Sequence, residues 1–156
     1  MRTLLALLMV AMSASCALAQ DPGLAPIPTQ IIAGKKAFIS NASGVSAVAK
    51  GVPEQIYNEF YAAMKSWGRY DLVRAPADAD LVIEIRIVVI FSGEQVRVTM
   101  LDPKTHVVLW AFTEAVPVAA RQSTRRKNLD VAMRALVNDV RNLTGQPTAA
   151  STNAQK

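Results

Sequence analysis

The chain of 156 residues contains one cysteine, Cys16, and one histidine, His106. A single cysteine excludes an intrachain disulfide, and a transition-metal centre needs several imidazole or thiolate ligands. The sequence also lacks H-E-x-x-H and EF-hand spacings, a P-loop and a G-x-G-x-x-G fingerprint. We therefore expect no cofactor, no bound metal and no nucleotide chemistry.

Residues for acid/base or nucleophilic catalysis are equally scarce. Nucleophilic catalysis would need His106 beside a Ser or Cys, but His106 lies in a predicted turn. Asp78 and Asp80 are two residues apart and could place both carboxylates on one side of an extended segment. Asx-turn chemistry ahead of a strand also explains them. A small hydrolase or transferase using Asp78 and Asp80 is thus the alternative to a non-enzymatic function.

Long apolar runs are absent except near the amino terminus. Residues 3–12 are too short to cross a bilayer, which takes about 20 residues. With Arg2 before them and Ala17-Leu18-Ala19 after them, they predict a signal peptide over residues 1–19 and export to the periplasm or medium. Ser13-Ala14-Ser15-Cys16 offers a competing hypothesis, a lipoprotein anchored through Cys16.

Composition divides the remainder into three parts. Residues 20–30 hold three prolines and predict an extended tether, while residues 146–156 are small and polar and predict a disordered tail. Residues 31–145 are expected to form one domain. Without disulfides, its stability must come from a hydrophobic core.

The first half of this domain predicts a strand, a helix and a second strand. Residues 31–40 form a β-branched and aromatic run typical of a strand. Pro53 is suited to the first position of a helix, and Gly68 is suited to follow its end. The apolar face of this helix consists of Ile56, Phe60, Met64 and Trp67. Residues 70–73 make a short strand, and residues 76–80 turn the chain.

A β-meander follows. In residues 81–91 every odd-numbered position is apolar and the charged residues Glu84 and Arg86 fall on the other side; residues 95–101 repeat the pattern. A two-residue Gly93-Glu94 turn, pairing Ser92 with Gln95, would place both apolar sets on one face.

The next hairpin turns over residues 102–106. If His106 adopts the left-handed conformation, Asp102 pairs with Val107 and Trp110 points away from the core. A loop one residue longer reverses the faces and buries Trp110. The first register makes an apolar patch of Trp110, Phe112, Val108, Val88 and Ile90, bordered by Arg97 and Arg86.

The last element is a helix over residues 126–143. Its apolar stripe consists of Leu129, Met133, Leu136, Val140 and Leu143, and Gly145 follows as a stop signal. The order β-α-β-β-β-β-α predicts an α+β two-layer sandwich, with two helices on a mixed, mostly antiparallel sheet.

Four segments of this pattern resemble small exported modules of bacterial envelopes. They are KKAFIS, EQIYNEFYAAMKSWG, YDLVRAPADADLVIEI and the meander containing LDPKTHVVLWAF. Over about residues 35–143 they resemble the amino-terminal domain of TolB, the CsgG core and related lipoproteins. The resemblance implies a periplasmic partner-binding or assembly module and carries over no catalytic residue.

Two surfaces are candidates for binding. The apolar patch around Trp110 would attract a partner, unless the tether covers it or Trp110 belongs to the core. The second surface is a basic segment ahead of the last helix, formed by Arg121, Arg125, Arg126 and Lys127. Cations at a helix start oppose its dipole, so this segment either binds an anionic partner or only aids solubility. We expect an exported, non-enzymatic module that binds an envelope protein or an anionic surface, and not nucleic acid.

Overall fold

The computed structural model describes residues 26–44, 51–91 and 93–145. The predicted signal peptide, the tail and the first part of the tether lie outside these residues. The helices are α1 (Thr29–Ala33), α2 (Val52–Trp67) and α3 (Gln122–Leu143), with a 3₁₀ turn at Pro76–Asp78. The strands are β1 (Lys36–Asn41), β2 (Asp71–Leu72), β3 (Leu81–Ile90), β4 (Gly93–Leu101) and β5 (Val108–Val116).

The five strands form one open, mixed sheet in the order β2-β1-β3-β4-β5. β1 is parallel to β2 and β3, whereas β3, β4 and β5 form the expected antiparallel meander. α2 and α3 pack on one face, where their apolar stripes meet the odd-numbered residues of β3 and the even-numbered residues of β4. The α+β prediction is confirmed. The opposite side of the sheet, which α2 and α3 do not cover, is called the open face below.

α2 follows the sequence signals closely. Pro53 lies in its first turn, and Gly68 adopts a φ of 70° and donates its N–H to the carbonyl of Met64. A side-chain Cβ would be strained in this left-handed conformation, which is why glycine ends the helix. Ile56, Phe60 and Met64 are buried as predicted.

The strand expected from residue 31 begins only at Lys36, because residues 29–33 form the short helix α1. Ile31 is fully buried, and its carbonyl accepts a hydrogen bond from the Tyr70 hydroxyl at 2.7 Å. Burial raises the pKa of that hydroxyl. The apolar run of residues 31–33 is compatible with one helical turn as well as with the end of a strand, so periodicity could not distinguish the two structures.

The first hairpin turns two residues earlier than predicted. Ile90 lies opposite Gly93, and Gln95 pairs with Val88 rather than with Ser92. Moving the turn by two residues shifts the pairing by four. Because this shift is even, every side chain keeps its face, and the hydrophobic pattern does not distinguish the two registers. Phe91, expected on the buried side, therefore lies at the end of the hairpin and is fully exposed.

The second hairpin turns as predicted. His106 has a φ of 57°, and Asp102 donates its N–H to the carbonyl of Val107 at 3.0 Å. The Asp102 carboxylate accepts the N–H groups of Lys104 and Thr105, and these bonds lower its pKa.

Beyond this turn, a β-bulge places the side chains of β5 on the opposite faces from those predicted. Leu101 still pairs with Val108, but Met100 then pairs with Trp110 and Val98 with Phe112. One extra residue in β5 reverses all later side chains. Trp110 and Phe112 thus lie on the helix side, half-buried against the core.

Candidate functional site

The structure does not assemble the predicted apolar patch. Val88 and Ile90 belong to the open face, whereas Trp110 and Phe112 lie on the helix side with their ring centroids 6.5 Å apart. Val108, before the bulge, is exposed at the other end of the sheet.

Exposed apolar side chains collect instead at the end of the β3–β4 hairpin. They are Val89, Ile90, Phe91 and Val118, which we call the tip patch. Val118 is 79% exposed, and these residues line an open cleft of about 310 Å³. Of the four, only Ile90 is predicted from the sequence to be a binding residue.

Gly93 lets Val118 lie close to the hairpin. Its φ is 142°, a conformation that L side chains rarely adopt. A Cβ at this position would lie 3.1 Å from Cγ2 of Val118, tighter than ordinary contact. The glycine thus allows the segment after β5 to extend the apolar surface of the tip.

The basic segment is part of α3, which begins at Gln122 rather than at Arg126 as expected. Arg125 makes two hydrogen bonds to the Glu94 carboxylate, at 2.6 Å from Nη2 and 3.0 Å from Nε. This half-buried, bidentate pair joins the first turn of α3 to β4 beside the tip patch. Arg121, Arg126 and Lys127 are exposed.

The first turn of α3 holds cations where the helix dipole favours anions. It contains no acidic residue, and Arg121 at the N-cap makes no side-chain capping bond. Each cation placed there costs about 0.3 to 1 kcal/mol. Arg121 is therefore an exposed cation held at some expense to the helix, whereas Arg126 and Lys127 lie in its second turn.

One carboxylate of the alternative enzyme hypothesis, that of Asp80, has a structural role. Oδ2 of Asp80 accepts the backbone N–H groups of Lys35 and Lys36, each at 3.0 Å. These two bonds lower the pKa of Asp80, which makes it a poor proton donor at neutral pH. Within residues 26–44, 51–91 and 93–145, no cluster of three His, Cys, Asp or Glu side chains could hold a metal ion.

We expect Asp80→Ala to lower the denaturation midpoint near neutral pH, because it leaves two backbone N–H groups of the β1 start without their acceptor. The folded-state pKa of Asp80 lies below the ordinary 3.8. Its contribution is therefore present above the unfolded-state pKa and is lost as pH falls through the folded one. The gap between the parent protein and the variant should shrink in acid. Asp78→Ala, at an exposed position, is the control; a gap that stays constant with pH contradicts this role.

The open face contains the other predicted residue, Arg97. It lies opposite Arg86 on β3, and its Nε donates to Oγ1 of Thr113 at 3.2 Å. Both arginines are half-buried.

No helix in the part of the chain that the structure describes is long and apolar enough to cross a membrane.

No family model and no curated protein matches the sequence. Among solved structures, a PelC dodecamer from Paraburkholderia phytofirmans is similar at a TM-score of 0.50 and 13% identity, covering 73% of this chain and 90% of PelC. A DUF330 protein from Xanthomonas campestris gives 0.48 and 12%, covering 78% and 89%. TolB from Acinetobacter baumannii gives 0.40 and 18%, covering 73% of this chain and 29% of TolB. The weak resemblance to envelope modules expected from the sequence is thus present among solved structures, and at these identities it is a likeness of fold.

Proposed function

We propose that this chain is an exported, non-enzymatic module of the cell envelope that binds an anionic lipid surface through the tip patch. The observation that carries the proposal is Phe91, fully exposed at the end of a hairpin with three exposed aliphatic neighbours. The predicted signal peptide and the resemblance to envelope modules support the location.

The chemistry of the tip suits the boundary between lipid headgroups and acyl chains. Apolar side chains at the end of a hairpin can enter this boundary, while cations beside them meet anionic headgroups. Each Lys or Arg near such a surface contributes about 1 kcal/mol.

The ion pair between Arg125 and Glu94 sets the geometry of this surface. It holds the first turn of α3 against the start of β4, where the hairpin ends. Arg125 lines the cleft of the tip patch, so the start of α3 and the apolar tip are held together before any ligand is bound. Such preorganisation reduces the entropy lost on binding.

Phe91→Asp should weaken binding to anionic vesicles at least about tenfold. Burying a Phe side chain contributes roughly 1.5 to 3 kcal/mol, and 1.4 kcal/mol is a factor of about ten. Binding is measured by co-sedimentation of the exported protein with phosphatidylglycerol–phosphatidylethanolamine vesicles and with neutral phosphatidylcholine vesicles. The matched control is Val107→Asp, because Val107 is also exposed, at 57%, but lies at the opposite end of the sheet.

The cations give a second arm of the same experiment. Arg126→Gln combined with Lys127→Gln should weaken binding by about 2 kcal/mol at low salt and flatten its salt dependence. Equal losses for Phe91→Asp and Val107→Asp, or no preference for anionic vesicles, would contradict the proposal. Loss of a co-purifying protein on Phe91→Asp, with vesicle binding absent, would assign the tip to a protein partner instead.

A further inference from the structure

The open face holds two arginines directly opposite each other on neighbouring strands. Arg86 of β3 pairs with Arg97 of β4 in an antiparallel register. Cβ atoms of such cross-strand partners lie about 4.5 to 5.5 Å apart, and like charges at this distance destabilise a sheet. Both side chains are half-buried, so water screens their repulsion less than it would at a fully exposed position.

The two guanidinium groups differ in their hydrogen bonding. Nε of Arg97 donates to the Thr113 hydroxyl. Nε of Arg86 is buried and has no hydrogen-bond partner among the described residues. Within the same residues, the single ion pair is that of Arg125 with Glu94, so neither Arg86 nor Arg97 is paired with a carboxylate. A buried, unpaired N–H on a cation is costly and is unusual unless a ligand completes it.

One acidic side chain shares this face. Glu84 precedes Arg86 by two residues on β3 and lies opposite the buried Thr99. It makes no ion pair with either arginine, yet it lowers the local net charge to a single positive unit. A singly charged anion would therefore neutralise the cluster, whereas a doubly charged one would also be repelled by Glu84.

We propose that Arg86 and Arg97 form a binding site for a carboxylate group on the open face of the sheet. The carboxylate oxygens accept N–H groups from both guanidinium forks and lie between the two positive charges. The carboxylate belongs to an acidic sugar or to an acidic side chain. This site is separate from the tip patch and does not depend on lipid binding.

The direct test follows the arginine Nε–Hε signals of the exported protein by NMR during titration with sodium acetate. Sodium chloride at equal ionic strength is the reference, and inorganic phosphate is a second probe. We expect the Arg86 and Arg97 signals to shift saturably with acetate and less with phosphate. Separate titrations with glucuronate and with N-acetylglutamate amide show which source of the carboxylate binds more tightly.

Variants make the assignment specific. Arg97→Gln should weaken acetate binding about tenfold or more, because one of two charge-assisted donors is lost. Glu84→Gln should strengthen it severalfold, and Arg134→Gln, at an exposed site on α3, should leave it unchanged. If Arg97→Gln fails to fold, Arg97→Lys is used instead. It keeps the positive charge but not the planar guanidinium group, so its affinity for acetate should lie between those of the parent protein and of a variant without the charge. A linear, unsaturated shift, unchanged affinity in the Arg97 variants, or tighter binding of phosphate than of acetate would overturn the proposal.

Discussion

Leu136→Ala should lower the free energy of unfolding by about 2 to 5 kcal/mol, and Ile85→Ala should do the same. Leu136 of α3 is 0% exposed and Ile85 of β3 is 1% exposed, so each truncation leaves a cavity between the helices and the sheet. A domain of this size has a total stability of roughly 5 to 15 kcal/mol. Either variant therefore loses a large share of the fold's stability, which chemical denaturation measures directly.

Val131→Ala is the matched control for this prediction. Val131 belongs to the same helix as Leu136 but is 58% exposed. An exposed truncation of this kind should change stability by less than about 0.5 kcal/mol. Similar midpoints for Leu136→Ala and Val131→Ala would show that α3 presents a different face to the sheet.

Trp110→Ala should cost about 2 kcal/mol or more, because the bulge places this ring on the helix side of β5. The cost should fall below the 3 to 5 kcal/mol of a fully buried aromatic, since Trp110 is only half-buried. Val108→Ala, at an exposed position on the same strand, is the control and should cost little. Comparing the denaturation midpoints of the two variants shows whether Trp110 or Val108 lies on the helix side of β5.

The tryptophan fluorescence of a Trp67→Phe variant checks the same placement without truncating Trp110. The chain has two tryptophans, so Trp110 is then the sole emitter of its kind. We expect partial protection from an aqueous quencher. Complete accessibility, together with a negligible cost of Trp110→Ala, would mean that the ring points away from α3 and that the bulge is wrongly placed.

Local signals predicted most of the fold because they act within a few residues. Pro53 and Gly68 delimit α2 through backbone conformations that do not depend on distant packing. The unbroken apolar set at the odd-numbered positions predicted β3, since charged residues occur on only one of its faces. Of the two registers that the sequence left open at the second hairpin, the structure has the one in which His106 adopts the left-handed conformation.

The bulge in β5 could not be predicted in this way. From Val108 to Phe112 the strand is apolar on both faces, so either register buries an apolar set. The register of β5 is set by its pairing with β4. There the Met100–Trp110 and Val98–Phe112 pairs place the aromatic rings beside the core. Long-range packing therefore decided what periodicity left open.

The candidate site was predicted only in part for a related reason. The basic segment was visible as a charge cluster, but the pairing of Arg125 with Glu94 links residues far apart in sequence. The alternation of β3 continues through Phe91, whereas the covering helices do not reach that far. An alternating sequence shows which side chains of a strand share a face, but it does not show how far along the strand the helices cover that face. Val118 lies in a loop with no periodic signal.

The most direct test of the account is whether the side chain at position 91 enters a lipid surface. Phe91→Trp introduces a fluorescent reporter at this position. Its emission is obtained by subtracting the spectrum of the parent protein. It is measured on phosphatidylglycerol vesicles with and without brominated acyl chains. If the tip patch binds lipid, the emission shifts to the blue on binding and is strongly quenched by the brominated lipid. Val107→Trp should show neither effect. Unchanged emission of the position 91 reporter, or equal quenching of both reporters, would contradict lipid binding by the tip patch.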